Sequence, residues 1–139
     1  MNIMHHDYLK IFINDELYYE GEIVIYEDNS CEGLLINKNN DQYYTHGTFE
    51  KNKCFNLIIE NNESRIIFNG KKTYLQYEGN YKVMNNNNIT EMPFYLKVTS
   101  LDVDPRDYYL EDDPKNIFLS KLNRFKEDSI HSKTRMSWF

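Results

Sequence analysis

The sequence predicts an all-β fold, an antiparallel up-and-down meander of about eight strands that is barrel-like or strongly curved and is followed by one C-terminal amphipathic α-helix. Short runs rich in Tyr, Ile, Val, Phe and Thr recur through the first hundred residues, separated by clusters of Asn, Asp, Lys and Gly. Apolar and polar residues alternate within these runs, as they do in strands with one buried face. Beyond residue 113 the apolar residues instead recur with helical spacing.

The 139 residues fit one domain, with four predicted parts. These are a β-meander over residues 1–100, an acidic loop over 101–113, a helix over 114–129 and a basic, aromatic tail over 130–139. The eight strands are predicted at residues 8–13, 17–26, 31–36, 42–50, 54–60, 64–68, 73–83 and 92–99. Their connections are short, and Asn69-Gly70 is typical of a type I′ hairpin turn.

Three strands carry a glycine in the middle of their apolar face, namely Gly21, Gly47 and Gly79. Glycine inside a strand costs about 0.5–1 kcal/mol, so three equivalent cases favour a geometric role. They would let curved strands bend with the concave side inward. They would equally leave room for neighbouring Tyr and Phe rings, and the two explanations are compatible.

The predicted helix begins with a recognisable N-terminal signal. Asp113 is expected as the N-cap, followed by Pro114 at the first helical position. Phe118, Leu122 and Phe125 follow at i, i+4 and i+7, which defines one apolar face.

Composition disfavours several classes of partner. Acidic residues outnumber basic ones by 22 to 16, giving a net charge of −6, so neither nucleic acid nor an anionic lipid surface is the expected partner. Cys31 and Cys54 are too few for a disulfide framework and indicate free thiols in a reducing compartment. With no stretch long enough to span a membrane and no signal-peptide pattern, we expect a cytoplasmic protein.

No catalytic, metal or cofactor site is predicted. Asp102, Asp104 and Asp107 alternate as calcium ligands do, but Arg106 stands where a ligand would be, so a solvated loop is favoured. The adjacent His5 and His6 point apart on an extended chain, and we expect a flexible start there.

His46 lies mid-strand beside Tyr44 and Thr48, without an obvious base or nucleophile. Strand parity neither supports nor excludes a meeting of His46 with Cys31 or Cys54. The protein is therefore predicted not to be an enzyme, and a cluster of His46 with a carboxylate or thiol would revive catalysis as the weakest option.

Outward tyrosines suggest a binding surface. Four lie opposite the predicted core face, namely Tyr18, Tyr26, Tyr44 and Tyr74. Tyrosine offers contact area at low entropy cost. The outward tyrosines would be explained equally well if another layer, such as the helix, covered their face. Asp112, Asp113, Trp138 and Phe139 are further candidate contacts. The leading hypothesis is a non-enzymatic protein that binds a partner protein, for example as a small inhibitor or immunity-type factor.

Two stretches resemble the openings of MORN repeats, the hairpin repeats that begin Tyr-x-Gly. They are Tyr19-Glu20-Gly21-Glu22 and Tyr77-Glu78-Gly79-Asn80-Tyr81-Lys82, and Tyr44 to Gly47 is a looser echo. The resemblance implies an open, curved sheet, structural roles for the tyrosines and glycines, and a scaffolding or interaction function.

The alternative is a small-ligand-binding up-and-down barrel of the lipocalin kind. Tyr19, Tyr43, Tyr77 and Tyr81 would line its interior pocket. Pairing of the first and last strands distinguishes the two forms, because an open sheet leaves edge strands that invite homodimerisation.

Overall fold

The computed structural model describes residues 2–60, 64–85, 88–102 and 113–136, with side chains of the helix described to residue 128. The chain forms two compact units, Met1–Asp102 and Val103–Phe139. The first is a β-barrel, and the second contains one helix.

Eight antiparallel strands close into a barrel in simple sequence order. They are β1 (Ile3–Ile13), β2 (Glu16–Tyr26), β3 (Ser30–Asn37), β4 (Gln42–Glu50), β5 (Cys54–Glu60), β6 (Ser64–Lys72), β7 (Tyr77–Asn85) and β8 (Asn88–Ser100). Closure is made by β1 and β8, which pair from Asp7↔Ser100 to Phe12↔Tyr95. The predicted all-β meander is confirmed, in its closed form.

Asparagine and aspartate make several of the tight connections. Asn14 and Asp15 both have positive φ, at 54° and 61°, which suits the two-residue hairpin between β1 and β2. Asn29, Asn40 and Asn52 also adopt positive φ in turns. This backbone region is strained for most residues but accessible to Asn. Part of the high asparagine content therefore has a conformational cause.

Alternate residues of every strand face a packed interior. The buried side chains include Leu9, Ile11, Ile23, Ile25, Leu35, Phe49, Phe55, Leu57, Ile59, Phe68, Phe94 and Leu96. Aromatic rings meet edge to face here, with 5.9 Å between the centroids of Phe55 and Phe94 and 5.1 Å between those of Phe68 and Phe94. The period-2 pattern of the sequence is thus the pattern of this core.

The mid-strand glycines face the interior, as predicted, and bring neighbouring backbones close together. A Cβ on Gly79 would lie 1.8 Å from the carbonyl oxygen of Asn69. A Cβ on Gly47, whose φ is 154°, would lie 1.9 Å from the carbonyl oxygen of Asn56. These contacts are with backbone atoms, so close strand approach requires the glycines at both positions.

The prediction of a turn at Asn69-Gly70 is wrong. Both residues lie inside β6, where Asn69 pairs with Asn80 and Gly70 pairs with Gly79. The preference for a turn is overridden because Gly70 faces inward beneath the ring of Phe55. The actual β6–β7 connection spans residues 73–76, so Tyr74 and Leu75 are not in a strand.

The start of the barrel also differs from the prediction. β1 begins at Ile3 rather than residue 8, so His5 and His6 belong to a paired strand and not to a flexible start. A register shift between Ile11 and Phe12 pairs Phe12 with Leu17.

The same shift changes which side chains of β2 reach the core. Tyr18 packs partly against the core, although alternation placed it on the outer face. Leu17 shares the side of Phe12, whose ring stacks on Tyr95 outside the barrel. A β-bulge offsets side-chain alternation in this way.

The helix α1 runs from Pro114 to Met136, seven residues beyond its predicted end. Asp113 caps it as predicted: the backbone N–H of Lys115 donates to Asp113 Oδ1 at 3.0 Å, and that of Asn116 donates to the Asp113 carbonyl. Within the described residues, no helix has both the length and the apolar character needed to span a membrane.

Candidate functional site

Two of the four predicted outward tyrosines converge on one carboxylate. The hydroxyl of Tyr26 donates to Glu32 Oε2, and that of Tyr44 donates to Glu32 Oε1 at 2.9 Å. Burial, reinforced by the Glu32 charge, raises the pKa of both hydroxyls above the usual value. Both phenols are therefore neutral, and both hydroxyl groups donate to Glu32 on the barrel itself.

Tyr18 is engaged at a different place. Its ring packs partly on the core, and Lys38 Nζ lies 4.2 Å from the ring centroid. The same ammonium group is 2.8 Å from Glu16 Oε1. Tyr18 is thus part of the local structure where β2 begins.

Among the four predicted outward tyrosines, Tyr74 is the one whose side chain is almost fully exposed. Its side chain is 93% exposed in the β6–β7 turn, and the adjacent Leu75 is 79% exposed. In the predicted strand 73–83, Leu75 alternates in phase with Gly79 and would face the core; this is wrong because the strand begins only at Tyr77. The four tyrosines therefore occupy different settings and do not share one surface.

Hydrogen bonds fix the backbone of this turn. The carbonyl of Gln76 accepts both from the backbone N–H of Thr73 at 2.7 Å and from its hydroxyl at 2.8 Å. Gln76 Nε2 in turn donates to Glu78 Oε1 at 3.0 Å. Tyr74 and Leu75 consequently project together from an ordered loop of four residues.

The four tyrosines of the ligand-pocket alternative face inward but contact other side chains. Tyr77 is 5.2 Å from Phe49 between ring centroids, and its hydroxyl accepts from the backbone N–H of Asn52. Tyr81 lies 5.5 Å from Phe68 and donates to Met92 Sδ. Ring packing at these positions weakens the case for a ligand held in the barrel.

Tyr19 and Tyr43 occupy the barrel end where β2 and β4 begin. They meet edge to face with 6.2 Å between centroids, and Asn37 Nδ2 donates to the Tyr43 hydroxyl. Both rings are half-buried. A cleft of about 270 Å³ borders Tyr19 and includes Tyr18, Asn37 and Lys38.

The barrel contains a buried ion pair that the sequence analysis does not predict. Asp7 is fully buried on the inner face of β1, and its Oδ1 lies 3.1 Å from Lys51 Nζ. Oδ2 has no hydrogen-bond partner among the described residues. Burial raises the pKa of Asp7, while the hydrogen bond and charge of Lys51 act in the opposite direction. The sequence signal for this pair is the carboxylate of Asp7 on the inward side of an otherwise apolar strand.

The three described histidine side chains and the two cysteines do not assemble a reactive group. His46 stacks on Tyr44 on the outer face, whereas Cys31 is buried on the inner face with its pKa raised to about 12 by burial. Cys54 Sγ donates to Glu50 Oε2 at 3.7 Å. His5 contacts Asp102, and His6 contacts Glu22. Across the described part of the chain, no three His, Cys, Asp or Glu side chains gather as metal ligands would.

The candidate contacts Asp112, Trp138 and Phe139 lie outside the described residues, as do Asp104 and Asp107 of the predicted acidic loop. Asp113 is described, and its carboxylate is engaged as the helix cap. Asp102 is also described, with Oδ1 accepting the backbone N–H of His6 at 2.9 Å.

The chain matches no family model, no curated protein and no solved structure. The resemblance to MORN repeats therefore stays a prediction from the residues that carry it. The closed order of strands differs from the open sheet which that resemblance implies.

Proposed function

We propose that this is a non-enzymatic binding protein that recognises a partner protein through the β6–β7 turn. The observation that carries the proposal is the exposure of two adjacent large side chains, Tyr74 at 93% and Leu75 at 79%. A small inhibitor or immunity-type factor would act in this way.

The chemistry of these two side chains suits a contact centre. Burying a leucine side chain contributes about 1.5–3 kcal/mol, and tyrosine is among the residues enriched where binding energy concentrates. The hydrogen bonds between Thr73 and Gln76 already order the turn, so little backbone entropy remains to be lost on binding.

The surroundings of the turn provide a polar rim. Lys71 and Glu78 pair across β6 and β7 just beyond it, and both are exposed. A small apolar centre within a charged margin is the usual anatomy of a protein interface.

The small-ligand alternative has weaker support. Tyr19 and Tyr43 are half-buried and a cleft borders Tyr19, but Tyr77 and Tyr81 pack against other rings. A ligand would therefore have to bind at the Tyr19 end rather than deep in the barrel.

The proposal is tested by photo-crosslinking from the turn. A benzophenone amino acid replaces Tyr74 in the full chain, expressed in its native host, and a matched control carries it at Ile89, which is 67% exposed on β8. We expect one stoichiometric protein crosslinked from position 74 and not from position 89. Crosslinking at neither position, or equally at both, would contradict the proposal.

The partner so identified is then used for affinity measurements with the purified chain. Tyr74→Ala combined with Leu75→Ala should weaken binding by about 100-fold, as expected for loss of a contact centre. Met84→Ala combined with Ile89→Ala, a paired exposed set on β7 and β8, should leave the affinity unchanged.

A further inference from the structure

Three asparagine side chains lie side by side on the outer face of the barrel. Asn56, Asn69 and Asn80 occupy matching positions on β5, β6 and β7, and Thr48 of β4 continues the row. Side chains paired in this way are about 4.5–5.5 Å apart at Cβ. None of the three amides makes a side-chain hydrogen bond to another described residue, so each has a free donor and acceptor.

The row lies in a groove of about 550 Å³. Lys71 and Lys82 border it together with Glu78 and Glu91, so its charges balance. The volume falls within the range of about 300–1,000 Å³ typical of small-molecule sites.

A second groove, of about 360 Å³, continues from the first, because Glu78 and Gly79 line both. Its wall holds Phe12 and Tyr95, whose rings stack with 4.9 Å between centroids and 10° between planes. Amides thus adjoin a flat aromatic pair along one surface.

A pair of glycines fixes this arrangement from the inside. Gly70 and Gly79 face each other across β6 and β7, next to the pair formed by Asn69 and Asn80. Because a Cβ at Gly79 would collide with the Asn69 carbonyl, the backbones of the two strands lie close together beneath the amides. The amide row is therefore carried on rigid strands rather than on loops.

We propose that the two grooves bind a neutral oligosaccharide. Each asparagine amide donates and accepts, so it can hydrogen-bond to adjacent hydroxyl groups of a sugar. The stacked rings of Phe12 and Tyr95 offer aromatic surface against which the C–H face of a pyranose ring packs, beside Lys97 Nζ, which lies 5.5 Å from the Phe12 centroid and 6.0 Å from the Tyr95 centroid.

Other occupants fit this surface less well. An anionic polymer would meet three carboxylates, those of Asp15, Glu78 and Glu91, against two lysines in the lining of the two grooves, on a chain with net charge −6. An apolar ligand would remove water from the amides without replacing their hydrogen bonds, which is costly.

The test is an NMR titration of the full ¹⁵N-labelled chain with maltohexaose, cellohexaose and hexa-N-acetylchitohexaose. We expect saturable shifts of the side-chain NH₂ signals of Asn56, Asn69 and Asn80 with at least one of the three. No saturable shift with any of them overturns the proposal, as do shifts confined to residues outside the two grooves.

Variants then locate the site. Asn69→Ala combined with Asn80→Ala should raise the Kd by about 30-fold, since two lost hydrogen bonds at roughly 1 kcal/mol each amount to about 2 kcal/mol. Tyr95→Ala should weaken binding similarly. The control is Asn85→Ala, an exposed asparagine on β7 outside both grooves, and an equal loss there would refute the assignment.

Discussion

Asp7 shows how one buried carboxylate links the stability of the barrel to pH. Its pKa is raised by burial, so the native state holds the proton more tightly than the unfolded chain does. Where the native state binds more protons, the free energy of unfolding falls as pH rises. The Asp7 contribution is thus most favourable below about pH 4 and declines as pH rises through the native pKa.

We predict that Lys51→Met lowers the free energy of unfolding by about 1–3 kcal/mol at neutral pH, because it leaves the Asp7 carboxylate buried and unpaired. The pKa of Asp7 should also rise further, since Lys51 lowers it. Urea unfolding across pH checks both effects.

Matched variants separate the ion pair from general effects of losing a lysine. Adding Asp7→Asn to Lys51→Met should recover most of the lost stability. Lys53→Met, which removes the 73%-exposed partner of Glu50, should change stability by less than about 0.5 kcal/mol. If Lys53→Met were as damaging as Lys51→Met, the buried pair would not be the cause.

At the scale of strands and turns, the Asn69-Gly70 dipeptide shows why local sequence alone does not predict every turn. Locally the two residues favour a hairpin turn, yet they lie mid-strand because Gly70 must fit beneath Phe55 and opposite Gly79. That requirement comes from the neighbouring strands β5 and β7, so the sequence around residues 69–70 does not predict it. Because the turn is predicted at residues 69–70, the sequence predicts neither the exposure of Leu75 nor the row formed by Asn56, Asn69 and Asn80.

Alternation predicted the inner face of most strands because the barrel buries one face of each. It fails for Leu17 and Tyr18, where the register shift between β1 and β2 exchanges their sides. The predicted binding tyrosines followed the same rule, so Tyr26 and Tyr44 were correctly placed outside but their shared partner Glu32 was not anticipated.

We predict that Gly79→Ala destabilises the barrel by about 3 kcal/mol or more, because the added methyl group meets the Asn69 carbonyl at 1.8 Å. Gly70→Ala should cost less, about 1–2 kcal/mol, since its new methyl group meets the ring of Phe55 at 2.7 Å and a side chain can shift. Thermal or urea unfolding compares the two, and a greater loss for Gly70→Ala would contradict the close approach of β6 and β7.

For the barrel as a whole, the pairing of β1 with β8 decides the architecture. It joins the first and last strands over six residue pairs and supplies each with a second neighbour. Buried residues on both strands, such as Leu9 and Leu96, then belong to the same core as Phe68.

We predict that amide hydrogens of β1 and β8 exchange with solvent as slowly, to within about tenfold, as those of β2 and β3. In an open sheet, every second amide of the two terminal strands would lack a partner and exchange rapidly. Hydrogen exchange followed by NMR checks this, with the amides of Tyr74 and Leu75 as fast-exchanging references.

Closure bears on how the chain resists self-assembly into fibrils. Each of the eight strands pairs with a neighbouring strand on both sides, so a second chain finds no wholly open strand edge among them to which it could add a strand. Aggregation at native conditions would have to wait for β1 and β8 to separate. Its onset should then follow the frequency of that opening rather than the number of Tyr- and Ile-rich segments that the sequence contains.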